Sequence, residues 1–345
     1  MVINLSALTL RVPQGSEIHH YLCHMHPLEE RIRTFYGSDF EALALEVFHY
    51  QYEHVGAYGE YCDYSGRTNP NTLEEIPFLP IRFFKSHEII SSELKAEVVF
   101  KSSGTGGERS SHLIGSTDLY CDTFRKIYRN QMGDPKDQVI LALLPNYLEQ
   151  GESSLVYMVD HLIQDTQSDL SGFFLNEYDA LIDRYQKAVA SGKKVVIFGV
   201  SYALLDLAER HPDLSEATII ETGGMKGRRK EMTKAELHQE LKLGLNCDHI
   251  SSEYGMTELL SQGYSQKDGL FVPGSTMKIL IREVNDPFHF LPNGKTGGIN
   301  IIDLANLYSC SFIETQDLGK LHENGFEIMG RFDHSDLRGC NLLVQ

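Results

Sequence analysis

The alternation of β-rich runs with helical patterns between residues 97 and 265 constrains the fold more than any other feature of this chain. Each short apolar run suited to a strand is followed by a stretch with helical periodicity. The strand candidates are 96–100, 138–144, 195–200 and 218–221, and the helical patterns cover 118–131, 153–164, 177–191 and 232–243. This order predicts an α/β sheet whose strands are joined by crossover helices.

The character of the sequence changes on both sides of this α/β body. Residues 1–75 are helical and polar, with a helix predicted over 39–50, whereas the turn signals FVPGS, LPNGKTGG and ETQDLG break the chain into short strands after about residue 268. We therefore expect four regions. They are a helical N-terminal accessory region at 1–75, an α/β body at 76–267, a small β-barrel-like subdomain at 268–330 and a C-terminal tail at 331–345.

The charge balance limits the classes of partner. Lys and Arg total 31 against 48 Asp and Glu, a formal net charge of −17, so the surface repels nucleic-acid backbones and anionic lipids. No apolar run has the length of a membrane span, and the N-terminus lacks the basic region of a signal peptide. We expect a cytoplasmic protein that binds no nucleic acid and has no membrane span.

The cysteines and histidines give no clear metal or disulfide pattern. The six cysteines, Cys23, Cys62, Cys121, Cys247, Cys310 and Cys340, have no CxxC spacing and are expected to be reduced thiols. A cluster of histidines and one cysteine near the N-terminus could bind zinc. Because no second ligand pair stands at zinc-finger spacing, ordinary packing of these side chains is favoured. The cluster comprises His19, His20, Cys23, His24 and His26.

The strongest local signal is the stretch KSSGTGGERSS at residues 101–111, directly after the strand-like AEVVF. A strand that leads into glycines and hydroxyl residues exposes several backbone N–H groups at one point, as a polyphosphate requires. The stretch is neither a Walker A motif nor a dinucleotide fingerprint. It predicts a phosphate-binding loop, and a flexible connection is the alternative.

Two further signals lie later in the chain. In SSEYGMTE, at 251–258, Tyr254 is suited to stack on a base or an acyl group, and Glu258 to hold Mg²⁺ together with phosphate oxygens. In ETQDLG, at 314–319, Asp317 is suited to accept ribose hydroxyls, and Arg331 nearby to supply positive charge. Solvated turns and hairpins are the alternatives for these segments.

The order of these segments resembles the adenylate-forming superfamily of acyl-CoA synthetases and nonribosomal adenylation domains. Its S-G-T-T-G loop, its glycine pair before the adenine pocket, and its Y-G-x-T-E, T-G-D and G-R-x-D motifs all have counterparts. These are Ser103-Gly104-Thr105-Gly106-Gly107, Gly223-Gly224, Tyr254-Gly255-Met256-Thr257-Glu258, Thr315-Gln316-Asp317 and Gly330-Arg331-Phe332-Asp333. Within that superfamily the chain looks most like LuxE-type acyl-protein synthetases, and next most like phenylacetate-CoA ligases. The segments that carry this resemblance are FKSSGTGG, LLPNYLEQGESSLVYMVDHL, TGGMKGRR and DLRGCNLLVQ.

The resemblance implies a layered adenylate-forming N-terminal domain that activates a carboxylic acid, fatty in that family, as acyl-AMP. The resemblance also implies ATP and Mg²⁺. It implies that the acyl group passes to Cys340 and then to an acyl reductase, with an acyl carrier protein or a thioesterase as the alternative partner. Thr105 and Glu258 become catalytic candidates, Glu258 the metal ligand, and the 76–267 body binds nucleotide and acyl group. The implied nucleotide-binding residues are Ser102, Ser103, Gly104, Gly106, Gly107, Gly223, Gly224, Tyr254, Gly255, Thr257, Asp317 and Arg331, and the implied acyl-pocket residues are Asn146, Tyr147 and Glu152-Ser153-Ser154.

The sequence departs from the family pattern at several points. Arg109 or Ser110 stands where a lysine usually closes the phosphate loop, and Gln316 replaces the glycine of T-G-D. The chain stops shortly after the hinge motif at 330–333, so we expect the C-terminal domain to be missing. Two alternatives therefore stay open: an AMP-forming acyl- or aryl-CoA ligase that needs a separate C-terminal domain, and a degenerate nucleotide-binding partner subunit.

Overall fold

The computed structural model describes residues 26–103, 109–144, 152–224, 229, 232–266 and 269–331. Its N-terminal part is helical, and the predicted helix at 39–50 is confirmed in the second helix, which begins at Phe40 after the N-cap Asp39. Imidazole Nδ1 of His26 caps the first helix by accepting from Leu28 N at 3.2 Å, which fits the packing alternative for this histidine. The elements are α1 (Pro27–Arg33), α2 (Phe40–His54), α3 (Gly56–Ser65), β1 (Leu79–Pro80) and α4 (Phe83–Ser86).

A hairpin follows and brings the two ends of the predicted phosphate loop together. Strand β2 (Val98–Lys101) pairs antiparallel with β3 (Ser111–Ile114), with Lys101 opposite Ser111. The predicted strand at 96–100 is confirmed with its start shifted by two residues. Helix α5 (Thr117–Met132) begins after Ser116, whose hydroxyl accepts from Leu119 N.

The α/β body forms the parallel part of one large sheet. Its strands run in the order β5, β4, β6, β7, β8, and β4 and β6 are almost continuously apolar, as expected for strands covered on both faces. The sequence predicted the strands β4, β6 and β7 and the helices α6, α7 and α9, but not β5, β8 or α8. The elements are β4 (Gln138–Leu143), α6 (Ser154–Asp165), β5 (Gly172–Phe174), α7 (Tyr178–Ala190), β6 (Lys194–Val200), α8 (Ser201–Ala208), β7 (Ala217–Thr222), α9 (Lys234–Leu245) and β8 (Ile250–Tyr254).

The remaining strands extend the same sheet in antiparallel fashion. The path continues from β8 through β9, β10, β14, β13 and β12 to β11, and β1 pairs in parallel with β13. The proposed division between body and subdomain at 267/268 remains a prediction. These strands are β9 (Gly263–Ser265), β10 (Leu270–Pro273), β11 (Met277–Arg282), β12 (Thr296–Asp303), β13 (Phe312–His322) and β14 (Gly325–Arg331).

Two hydrophobic cores support the sheet. One lies between the parallel strands and helices α5 to α9, and the other joins the N-terminal helices to the antiparallel strands. In the second core, Phe48 of α2 and Tyr58 of α3 pack against Phe312 of β13 at ring-centroid distances of 6.1 and 5.8 Å. Across the described ranges no helix is long and apolar enough to cross a membrane.

Candidate functional site

The carboxyl ends of the parallel strands meet at one edge of the sheet, where ligands bind in open α/β folds. Thr222 ends β7 and is followed by Gly223 and Gly224, while Tyr254 ends β8 and is followed by Gly255. Gly223 has φ +72°, a left-handed conformation that favours glycine. Both glycine motifs of the sequence therefore lie at the edge where a ligand is expected.

Three predicted site residues from three separate motifs lie together. Asp317 on β13 faces Arg331 on β14 in the strand register, which brings Arg331 Nε to 3.2 Å from Asp317 Oδ1. The Tyr254 hydroxyl donates to Asp317 Oδ2 at 2.8 Å. One carboxylate thus holds residues that are far apart in the sequence.

The Asp317 carboxylate is buried, and Arg331 is exposed. Burial raises the pKa of Asp317, while the positive charge of Arg331 and the Tyr254 hydrogen bond oppose that rise. The ring of Tyr254 lies edge-on to Phe326 at 5.4 Å, so an aromatic cluster fixes its position. The arrangement is suited to present a carboxylate acceptor to a ligand that reaches it from the exposed Arg331 side.

The end of the Y-G-x-T-E segment lies against the start of β3. Glu258 is buried, which raises its pKa, while a hydrogen bond from the Ser110 hydroxyl and the positive charges of Arg331 and Lys85 oppose the rise. Its carboxylate therefore adjoins both the end of the phosphate loop and the Asp317 cluster. This position suits a single carboxylate ligand to a cation that also binds phosphate oxygens.

The ends of the candidate phosphate loop are fixed by hydrogen bonds between its two sides. Ser102 N donates to Ser110 O at 3.0 Å, and Ser110 N donates to Ser102 Oγ at 2.9 Å. The Arg109 guanidinium hydrogen-bonds to Ser102 O. Ser103 is the last residue described before the loop, and Gly104, Thr105, Gly106 and Gly107 lie outside the described residues.

The positive charges beside this loop have an acidic partner. Lys101 Nζ lies 2.7 Å from Glu152 Oε1, and an Arg109 nitrogen lies 3.6 Å from Glu152 Oε2. The predicted acyl-pocket residue Glu152 is therefore an ion-pair partner of the loop. Ser153 caps α6 by accepting from Val156 N, and Asn146 and Tyr147 lie outside the described residues.

The structure adds a buried charged network that the sequence analysis missed. Glu221, fully buried near the end of β7, accepts from Lys234 Nζ at 2.5 Å, from Ser252 Oγ at 2.6 Å and from Ser201 Oγ at 3.0 Å. Burial alone would raise the pKa of Glu221, but hydrogen bonds from His238, Lys234 and Ser252 outweigh it and lower the pKa to about 2. The available signal was a glutamate inside the apolar run TIIET, because a buried charge requires partners.

A second buried carboxylate lies next to this network. Glu253 accepts from the Thr222 hydroxyl, and burial raises its pKa to about 7 despite that hydrogen bond. A Cβ atom at Gly255 would lie 2.3 Å from Glu253 Oε1, so this side chain fills the space beside the glycine. A side chain at position 255 would therefore force the Glu253 carboxylate to shift.

The described cysteines are poor nucleophiles. Cys62, Cys121, Cys247 and Cys310 are buried and free, and burial raises the pKa of each thiol, to about 12 for Cys62 and about 11 for Cys247. Cys340 lies outside the described residues, as do His19, His20, Cys23 and His24. Within the described ranges, no group of three His, Cys, Asp or Glu residues is placed to hold a metal ion.

Comparison with known proteins shows similarity at the level of structure. No family profile and no curated protein sequence matches the chain. ATP-bound MatB from Rhodopseudomonas palustris superposes with a TM-score of 0.53 at 18% identity, over 68% of this chain and 47% of MatB. The chain therefore spans about half the length of MatB.

Two solved CoA ligases give similar results. A 2-hydroxyisobutyryl-CoA ligase in complex with 2-HIB-AMP and CoA superposes with a TM-score of 0.64 at 14% identity, covering 88% of this chain and 71% of the ligase. The long-chain-fatty-acid-CoA ligase FadD1 from Archaeoglobus fulgidus gives 0.53 at 16% identity, covering 74% and 55%. The chain has the layered α/β fold of the N-terminal domain of adenylate-forming enzymes.

Proposed function

We propose that this protein uses ATP to activate a carboxylic acid as acyl-AMP and transfers the acyl group to a protein thiol, its own Cys340. The observation that carries the proposal is that Tyr254 and Arg331 both contact the carboxylate of Asp317. Glu258 lies beside this cluster. Solved proteins of the same fold bind ATP or an acyl-AMP. A fatty acid is the substrate class proposed, on the sequence resemblance.

The assembled residues divide the recognition of ATP between them. Asp317 accepts the ribose hydroxyls, Arg331 adds positive charge nearby, and Tyr254 orients the Asp317 carboxylate through its hydroxyl. Gly223 and Gly224 border the base at the end of β7. The backbone N–H groups of the 103–107 loop, with the hydroxyl of Thr105, bind the phosphates.

The chemistry needs positioning and neutralisation of charge more than bond-making groups from the protein. A substrate carboxylate oxygen attacks the α-phosphorus of ATP, pyrophosphate leaves, and the acyl-AMP anhydride remains. Glu258 is the residue that would hold Mg²⁺, which supplies positive charge to the phosphates when bound. Its burial and its hydrogen bond from Ser110 hold this carboxylate beside the loop.

The described thiols are poorly suited to accept an acyl group, and the sequence resemblance points to Cys340 as the acceptor. Cys62, Cys121, Cys247 and Cys310 are buried with raised pKa values, and a thiol reacts as its thiolate. Cys23 and Cys340 remain. In the proposed step the Cys340 thiolate attacks the acyl carbonyl of acyl-AMP, a thioester forms, and AMP leaves.

A second candidate, an AMP-forming CoA ligase that works with a separate C-terminal domain, is favoured by one observation. The similar structures include CoA ligases, of which this chain covers 55% and 71%. In that case CoA, rather than Cys340, accepts the acyl group.

The test is incubation with ATP, Mg²⁺ and a panel of labelled carboxylic acids, with pyrophosphate release and protein-bound label measured together. Release with label on the protein supports the proposal. Release without protein label, with acyl-CoA formed only when CoA and a second polypeptide are added, supports the CoA ligase. Nucleotide binding without release for any acid identifies a degenerate nucleotide-binding subunit and refutes both enzymes.

A further inference from the structure

Two consecutive carbonyl groups of the Y-G-x-T-E segment are held by buried side chains from elsewhere in the fold. Imidazole Nδ1 of His112, on β3, lies 2.8 Å from Thr257 O. The amide Nδ2 of Asn306, which follows β12, donates to Glu258 O at 2.8 Å. His112 is 0% exposed and Asn306 1% exposed, so neither bond competes with solvent.

These partners fix the hydrogen positions on both side chains. A carbonyl oxygen only accepts, so His112 Nδ1 carries the hydrogen and Nε2 is left as an acceptor in the neutral ring. Asn306 Nδ2 donates to Cys310 O at 3.2 Å as well as to Glu258 O, so Oδ1 is also an acceptor. Within the described ranges, neither His112 Nε2 nor Asn306 Oδ1 has a hydrogen-bond partner.

Both residues line the same small cavity, together with Ser116, Tyr308 and Ser309. Its size is sufficient for about one water molecule. Buried polar atoms without a partner are rare in proteins, and a water molecule has two hydrogens to donate. The two side chains that carry these unpartnered acceptors thus border a cavity with space for about one water.

We propose that one buried water molecule donates to His112 Nε2 and Asn306 Oδ1, and that His112 and Asn306 are positioning residues for Thr257 and Glu258. The water joins the two side chains behind the segment, so the two carbonyls are held as a unit. Neither side chain contacts substrate in this arrangement. Their effect on catalysis rests on the proposed function, whereas the water and the ring tautomer do not.

The first test reads the site without any activity measurement. Long-range ¹H–¹⁵N spectra of the full chain, with the His112 signals assigned from His112→Asn, are expected to show the Nδ1–H tautomer at neutral pH. A high-resolution crystal structure is expected to show one water within hydrogen-bond distance of both acceptors. An Nε2–H tautomer, or an empty cavity, overturns the proposed water site.

The second test compares two substitutions at His112 in acid-dependent ATP–pyrophosphate exchange. Asn places an amide donor where Nδ1 lies, so His112→Asn should keep kcat within about 3-fold, whereas His112→Phe should lower kcat about 10- to 100-fold. KM for ATP should change less than kcat in His112→Phe. His161→Asn is the matched control, because His161 Nδ1 lies 2.8 Å from Tyr157 O of its own helix.

The outcomes separate the two proposals. Equal losses in folded His112→Asn and His112→Phe overturn the positioning role, as does full activity in His112→Phe. If the wild-type chain shows no exchange with any acid, the proposed function fails, and the tautomer and the water still decide whether the site exists.

Discussion

Replacement of Asp317 by asparagine tests whether the cluster it forms with Tyr254 and Arg331 binds a nucleotide. The substitution keeps the shape but removes the charge and turns one acceptor oxygen into a donor. A hydrogen bond to a charged group contributes about 1.5–3 kcal/mol, so losing one ribose bond should raise the Kd for ATP about 10- to 100-fold. The loss in protein stability should stay below about 1 kcal/mol, because the partner Arg331 is 68% exposed.

The assay is equilibrium ATP binding by calorimetry, repeated with 2′-deoxy-ATP and 3′-deoxy-ATP. The wild type should lose affinity for the deoxynucleotides, and Asp317→Asn should discriminate against them much less. Tyr254→Phe is the control, because it removes the 2.8 Å bond to Asp317 but keeps the carboxylate charge. A folded Asp317→Asn variant that binds ATP with the wild-type Kd and still discriminates against deoxynucleotides would refute the assignment.

Four further predictions concern the buried carboxylates and the glycine beside Glu253. Glu221→Gln should lower the free energy of unfolding by about 3–5 kcal/mol in urea titrations, since it leaves Lys234 without its charged partner. In the wild type, the folded pKa of Glu221 near 2 lies below its ordinary value of 4.5. The contribution of Glu221 to the free energy of unfolding is therefore present at pH 7 and should be lost as pH falls from about 5 to 2. An unchanged urea midpoint over that pH range would contradict this. The pH dependence from Glu253 runs the other way, because its folded pKa of about 7 lies above the ordinary value of 4.5 and stability is therefore lost as pH rises between these values. Glu253→Gln should be more stable than the wild type at pH 8, by up to about 3 kcal/mol, but not at pH 4. Gly255→Ala should destabilise by about 1–3 kcal/mol in the same titration, because its Cβ would displace the Glu253 carboxylate, and the loss should shrink in a Glu253→Ala background.

The regular elements of the body were predictable because their signals are local. The predicted strand at 195–200 is β6, Lys194–Val200, and the predicted helix at 177–191 is α7, Tyr178–Ala190. Both have long, strongly periodic or continuously apolar sequences. Strand β5, Gly172–Phe174, is three residues long and gives no comparable pattern.

Pairings between distant segments were not predictable from such patterns. Leu79–Pro80 adds a parallel strand beside β13, more than 200 residues away, and no local property of these two residues indicates it. The candidate site shows the same division. Asp317 was identified from its motif, but the partners of Glu221 come from α8, α9 and β8, and only the fold brings them together.

Intact-protein mass spectrometry tests the central claim, self-acylation after adenylation, most directly. After incubation with ATP, Mg²⁺ and an accepted fatty acid, the wild-type chain and the control Cys23→Ser should gain the mass of one acyl group. Cys340→Ser should still release pyrophosphate but gain no mass. An acyl adduct that persists in Cys340→Ser, or wild-type protein that releases pyrophosphate and never gains mass, would contradict the account.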